Sequence, residues 1–129
     1  MSLDPHGLLA GVHPDLVEVA TKAWAASPTF QVVYGLRTVA AEAQAVASGH
    51  STTMHSRHLA DANYGGKCCA FDFAALEAGA ISWDTSLYPK IAGAIKDAAL
   101  ALNIPVEWGG DWSSFRDYGH IQLPWNKYP

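Results

Sequence analysis

Two short polar stretches in this 129-residue chain hold side chains of the types that can bind divalent metals. One is His55-x-x-His58, followed by Asp72 in an apolar run; the other is Asp117-x-x-His120. Zinc takes His, Cys, Asp or Glu, and a catalytic zinc keeps three protein ligands and one position open for water. Neither stretch has the helical His-Glu-x-x-His spacing of a zinc protease. On spacing alone, solvated loop histidines and an acid in a turn are the simpler reading. Asp117 precedes His120 by three residues, so a single turn could hold both at one site. Arg37, taken alone, reads as a structural salt bridge with Glu42 or Asp72. Cys68 and Cys69 are adjacent, and their Cα spacing of about 3.8 Å falls short of the usual disulfide span of at least about 4.4 Å. Two free thiols used for packing, made in a reducing compartment, are expected.

These side chains need elements to position them. Leu16, Val19, Ala20, Ala23 and Trp24 repeat at helical spacing over Pro14–Ala26, with Pro14 in the tolerated first turn. Phe30–Leu36 is rich in β-branched and aromatic residues and reads as a strand. Val39–Ser48 is Ala-rich and helical, closed by Gly49. Residues 50–69 read as a long functional loop containing His50, His55 and His58. Ala70–Ala74 reads as a buried strand carrying Asp72. Thr85–Leu102 is the longest helical pattern, in which Pro89 must either lie in the first turn or break the helix. Pro105–Trp108 and Gly119–Leu123 read as strands joined by a Gly-Gly-Asp-Trp turn, in which Asp111 is a turn former. The order α-β-α-loop-β-α-β-β lacks a βαβ rhythm, so the expected class is α+β: a central antiparallel sheet flanked by helices, with the metal site at one face.

Length and composition fit one domain over residues 1–129. The net charge is −4 and the eight Lys and Arg are scattered, which argues against nucleic acid as the main partner. No apolar run approaches the ~20 residues of a membrane span. The first residues lack a basic segment followed by an apolar one, so no cleaved signal peptide is expected and synthesis is placed in the cytoplasm. Six His and five Trp are many for such a chain; the Trp are expected in the core and along a cleft wall.

Taken together, Ser56-Arg57-His58, Ala70-Phe71-Asp72, Trp108-Gly109-Gly110-Asp111-Trp112, Phe115 and Asp117-x-x-His120-Ile121-Gln122-Leu123 resemble the M15 family of zinc peptidases. The closest branch is the phage-endolysin L-alanyl-D-glutamate peptidases. Upstream, Gly11-Val12-His13-Pro14-x-Leu16, Tyr34-x-Leu36-Arg37-Thr38, Gln44 and Gly49-x-Ser51 add to the likeness. The resemblance implies Zn2+ held by His58, Asp72 and His120, with Asp117 as the catalytic acid/base and Arg37 facing a substrate carboxylate. It implies hydrolysis of the L-Ala–D-Glu bond in the peptidoglycan stem peptide by a monomeric enzyme, released to the wall by a separate membrane-permeabilising protein. Two other readings stay open: a D-Ala-D-Ala carboxypeptidase of the same family, and a non-catalytic zinc-containing wall-binding module. The family pattern Ser-x-His-x-x-Gly-x-Ala-x-Asp is stretched here, with thirteen residues between His58 and Asp72. The extra segment within Leu59–Cys69 makes Asp61 a competing ligand. Asp72 is preferred, because a strand holds a ligand more firmly than a loop. The extra segment is expected to line the substrate cleft.

Overall fold

The computed structural model describes residues 2–49, 56–114 and 116–129, with Val39 described by its backbone alone. His50, His55 and Phe115, named above from the sequence, lie outside the described residues. Three α-helices and five strands are present among the described residues. Helix α1 (Pro14–Ala26) starts with the His13 ring accepting from the Asp15 N–H and with Pro14 in the first turn. Strand β1 (Phe30–Tyr34) follows. Helix α2 (Val39–Ala47) is capped by the Thr38 hydroxyl, which accepts from the Ala41 N–H. Strand β2 (Ala70–Glu77) turns into β3 (Ala80–Ser82), and a 3-10 turn, Thr85–Leu87, leads into α3 (Tyr88–Leu102), with Pro89 in its first turn. Strands β4 (Glu107–Trp108) and β5 (His120–Gln122) complete the chain's elements.

All the strand pairs are antiparallel. The sheet runs β1-β2-β5-β4, with β3 also paired to β2. Strand period two divides β2 cleanly. Phe71, Phe73 and Ala75 enter the core with Phe30, Val32 and Ile121 from neighbouring strands, against Leu16, Val19 and Ala23 of α1 and Ile91, Ile95 and Ala99 of α3. Each large side chain buried this way contributes about 1.5–3 kcal/mol. The alternate residues Ala70, Asp72 and Ala74 belong to the other face of the sheet. The α+β class and the antiparallel sheet are as the sequence implied.

Three details differ from the sequence reading. Strand β3 was not expected. It forms because Ala78 (φ 52°) and Gly79 (φ 82°) both adopt left-handed conformations, the two-residue turn that matches strand twist. The first strand stops at Tyr34 rather than Leu36, after a register shift between Val32 and Tyr34. The extra segment does not line the cleft described below. Its Asn63 and Tyr64 side chains donate to the Pro129 carbonyl, at 3.4 and 3.1 Å. Lys67 Nζ donates to the Ala10 carbonyl at 2.6 Å. The segment therefore braces the two ends of the described chain against each other. Cys68 and Cys69 are free and buried, and burial pushes the Cys68 thiol up to about 11; both are packing residues, as expected.

Candidate metal centre

Strand register builds most of the site. Asp72 on β2 lies directly opposite His120 on β5 and opposite Tyr34 on β1, so the three side chains share one face of the sheet, away from the core side chains Phe71 and Phe73. His58 comes from a loop, yet its backbone is pinned from both sides. Arg37 N–H donates to the His58 carbonyl (2.7 Å) and Cys69 N–H to the Arg57 carbonyl (2.9 Å). The adjacent Arg57 is buried: Nε donates to the Leu123 carbonyl, Nη2 to the Tyr128 carbonyl, and the guanidinium stacks 3.8 Å over the Trp125 ring. A loop tied down this way positions a side chain as firmly as a strand does.

The result is a convergent triad. His58 Nε2 and His120 Nδ1 each lie 3.1 Å from the same oxygen, Asp72 Oδ1. One donor atom from each residue lies within 4.8 Å of the others. Both histidines are buried, while the Asp72 side chain keeps 24% of its exposure. The outer ring nitrogens are already engaged. His58 Nδ1 is 2.9 Å from the Gly35 carbonyl, and His120 Nε2 is 2.8 Å from Gln122 Oε1. A carbonyl can only accept, so those two nitrogens carry the protons. Each neutral ring then turns a lone pair toward a carboxylate oxygen that is itself an acceptor. Such an arrangement calls for a cation between the groups, either a proton or a metal. Two imidazoles and one carboxylate, with outer partners fixing both tautomers, form a donor set that could hold a divalent metal ion. Asp61, the competing ligand, is occupied elsewhere: it caps the 3-10 turn Ala62–Tyr64 by accepting from the Asn63 N–H and faces Arg57 at 4.0 Å.

The charges fit the geometry. Burial alone would raise the Asp72 carboxyl, but hydrogen bonds with His120 and His58 outweigh it and hold Asp72 well below the usual carboxylate range. Burial alone would lower His120, and its bond to Asp72 reverses this and raises it. In the metal-free protein, the raised His120 contributes stability fully below about pH 6.5, and this is lost as pH rises through its folded-state pKa. The depressed Asp72 contributes above its unfolded pKa and fails only in strong acid. A metal needs His120 neutral, so metal stabilisation should grow as pH rises. Thermal melts from about pH 5.5 to about pH 8 should therefore show opposite trends: the chelator-treated protein weakens with pH while the difference between loaded and stripped forms widens. A difference independent of pH would remove His120 from the metal.

Asp117 sits at the start of the turn that leads into β5. The turn closes by the His120 N–H donating to the Asp117 carbonyl at 3.3 Å, while Asp117 N–H donates to the Gly109 carbonyl at 3.1 Å. A Cβ on Gly109 would come within 2.3 Å of the Asp117 carbonyl oxygen, and one on Gly110 within 2.3 Å of the Trp108 ring. The Trp-Gly-Gly sequence is thus a packing requirement of the Asp117 turn, reinforced by Trp108 Nε1 donating to the Tyr118 carbonyl at 2.8 Å. Asp111, the expected turn former, closes the 3-10 turn Gly109–Asp111 and pairs with Lys96. The Asp117 side chain reaches solvent, yet desolvation by its surroundings, then repulsion from Asp72, raises its carboxyl above the ordinary value. Asp72 and Asp117 line a common cleft of about 420 Å³, with Tyr34, Trp83, Arg116 and Tyr118 among its walls. Of the Trp expected in core or cleft, Trp108 is buried, Trp112 packs 5.2 Å from the His120 ring, and Trp83 is a cleft wall that stays 67% exposed. Arg37 is beside the site rather than in that cleft. Nη1 pairs with the fully buried Glu42 at 2.6 Å, Nε donates to Tyr34 Oη at 3.1 Å, and the guanidinium lies 4.4 Å over the Tyr34 ring.

The model for the phage L-alanyl-D-glutamate peptidase family matches residues 2–123. The chain belongs to this family. It is 34% identical to the L-alanyl-D-glutamate peptidase of Escherichia phage T5, over 89% of this chain and 90% of that one. It is 36% identical to the protein of the same name from Listeria phage A118 over 72% of this chain, which is 30% of that longer protein. The crystal structure of the L-Ala D-Glu endopeptidase ChiX from Serratia marcescens superposes with a TM-score of 0.83 at 41% identity, covering 95% of this chain and 87% of that one.

The sequence did not reveal the outer partners of the two histidines. Gln122 was legible in principle, since it follows His120 by two and so shares its strand face. Its amide is oriented by Glu107, whose Oε2 accepts from Gln122 Nε2 at 3.4 Å, leaving Oε1 for His120. The Gly35 carbonyl carries no side-chain signal at all. Gln122→Leu should therefore weaken metal affinity roughly 10–100-fold with the fold intact, read by competition with a chromophoric chelator. Unchanged affinity would mean that Gln122 only packs.

Proposed function

We propose that the chain is a zinc-dependent endopeptidase that cuts the L-Ala–D-Glu bond of peptidoglycan stem peptides. The observation that carries the reading is the Asp72 carboxylate oxygen shared by two buried imidazoles whose outer nitrogens are already engaged. His58, Asp72 and His120 would hold the zinc. When bound there, zinc supplies Lewis acidity toward the scissile carbonyl and a water of lowered pKa.

The chain's own residues do the rest. Asp117 takes a proton from the attacking water and returns it to the departing amine. Its raised pKa suits a carboxyl that must both accept and give up that proton. Tyr34, Trp83 and Tyr118 wall the cleft and limit water around the peptide. Arg37, in this proposal, faces a substrate carboxylate from the edge of the site while Glu42 fixes its guanidinium. The names of the relatives favour the L-Ala–D-Glu bond over terminal D-Ala-D-Ala. No helix among the described residues is long and apolar enough to cross a membrane. In this proposal the enzyme is a monomeric lysin, made in the cytoplasm, that acts on the wall after release.

The test is metal dependence with identified metal. The purified protein should contain about one zinc per chain, lose hydrolysis of wall peptides on chelation, and regain it when zinc is returned. A metal-free protein that hydrolyses at the untreated rate would refute the zinc-dependent reading.

A further inference from the structure

Among the described residues, Arg116 is the one cation lining the cleft that contains Asp72 and Asp117. Its Nε donates to the Trp112 carbonyl at 2.9 Å, which holds the side chain in place. Among the described residues no carboxylate pairs with its guanidinium, although the cleft holds two. Arg37 is the reverse case: its guanidinium is committed to Glu42 and Tyr34 and does not line this cleft. Arg116 also precedes Asp117 directly in sequence. The proton donor for the leaving amine and an uncommitted planar cation thus come from consecutive residues.

The chemistry of the leaving side completes the argument. When the amine that departs belongs to glutamate, the α-carboxylate is attached to the same carbon as that amine. A group that protonates the nitrogen therefore has the carboxylate within a few ångströms, and a guanidinium matches a carboxylate with paired N–H donors. We infer that Arg116 binds the α-carboxylate of the residue whose amine departs, and so selects D-Glu there over its α-amidated form. This rests on the endopeptidase reading above and names the subsite that sets its specificity.

Two synthetic peptides separate the ideas: L-Ala-γ-D-Glu-L-Lys, and the same peptide with the D-Glu α-carboxylate converted to a carboxamide. The wild-type protein should prefer the acid by roughly tenfold or more in kcat/KM, as expected for a charge-assisted hydrogen bond. In Arg116→Gln the acid-to-amide ratio should collapse toward one, chiefly through a higher KM for the acid peptide, and Arg116→Lys should recover part of it. An acid-to-amide ratio in Arg116→Gln equal to the wild-type ratio would overturn the inference. So would a wild-type protein that cleaves both peptides equally, which would leave the endopeptidase reading standing. A wild-type protein that cleaves neither peptide at L-Ala–D-Glu would bring down that reading, and this inference with it.

Discussion

Replacing Asp117 with Asn should leave the metal content unchanged and lower kcat on an L-Ala–D-Glu peptide by about 10²–10⁴-fold, the usual worth of a positioned acid/base. The substitution keeps the side chain's shape. The turn is set by backbone contacts to the Gly109 carbonyl and the His120 N–H, and Asn keeps an oxygen that can accept from the Gly119 N–H as the carboxylate does, so the turn should survive. Metal analysis beside steady-state kinetics checks both halves. Wild-type turnover would remove Asp117 from the chemistry. Loss of the metal would make it a ligand instead. A binding module without catalysis would show no change in either, so this variant also separates an enzyme from the zinc-containing wall-binding alternative.

His120→Ala should cost more. The ring lies between Asp72 and Gln122 and is buried. Its removal should reduce metal affinity beyond the roughly 10–100-fold expected for an outer partner, and bring hydrolysis down to the level of the chelated protein. The fold should persist, because Ile121 and not His120 fills the core from β5. Leaving the Gln122 amide oxygen without its donor costs about 1–3 kcal/mol, which a modest fall in Tm would show. A variant with full metal content and full activity would contradict the proposed ligand set.

Much of this site could be read from residue types in order along the chain. The short apolar run Ala70–Ala74 marked a buried strand carrying Asp72, and the three-residue spacing of Asp117 and His120 fits the turn that joins them. The helices were legible because Pro14 marks the start of the first, the Ala-rich run closed by Gly49 marks the second, and apolar spacing carries the third; the Thr38 cap of the second was not read from the sequence. What was hidden depends on distant partners. β3 exists through two left-handed residues, one of them Ala78, which as a non-glycine residue gives little warning of that conformation. The Gly35 carbonyl reaches His58 across 23 positions of sequence, and backbone acceptors leave no mark on residue identity. The choice between a structural and a substrate-facing Arg37 was also open. Glu42, buried at the first turn of α2, supplies the structural partner, and nothing in its helical spacing required that burial. The extra segment before Asp72 looked like a cleft element because insertions near active sites often are. Its Tyr64 and Asn63 instead hold the Pro129 carbonyl, a contact between residues more than sixty positions apart.

The measurement that bears most directly on the central proposal is mass spectrometry of fragments released from purified peptidoglycan, with and without a zinc chelator. The structure and its family predict new ends at L-Ala and D-Glu that vanish on chelation and return with zinc. Release of terminal D-Ala alone, or intact wall material from a folded and zinc-loaded protein, would contradict it.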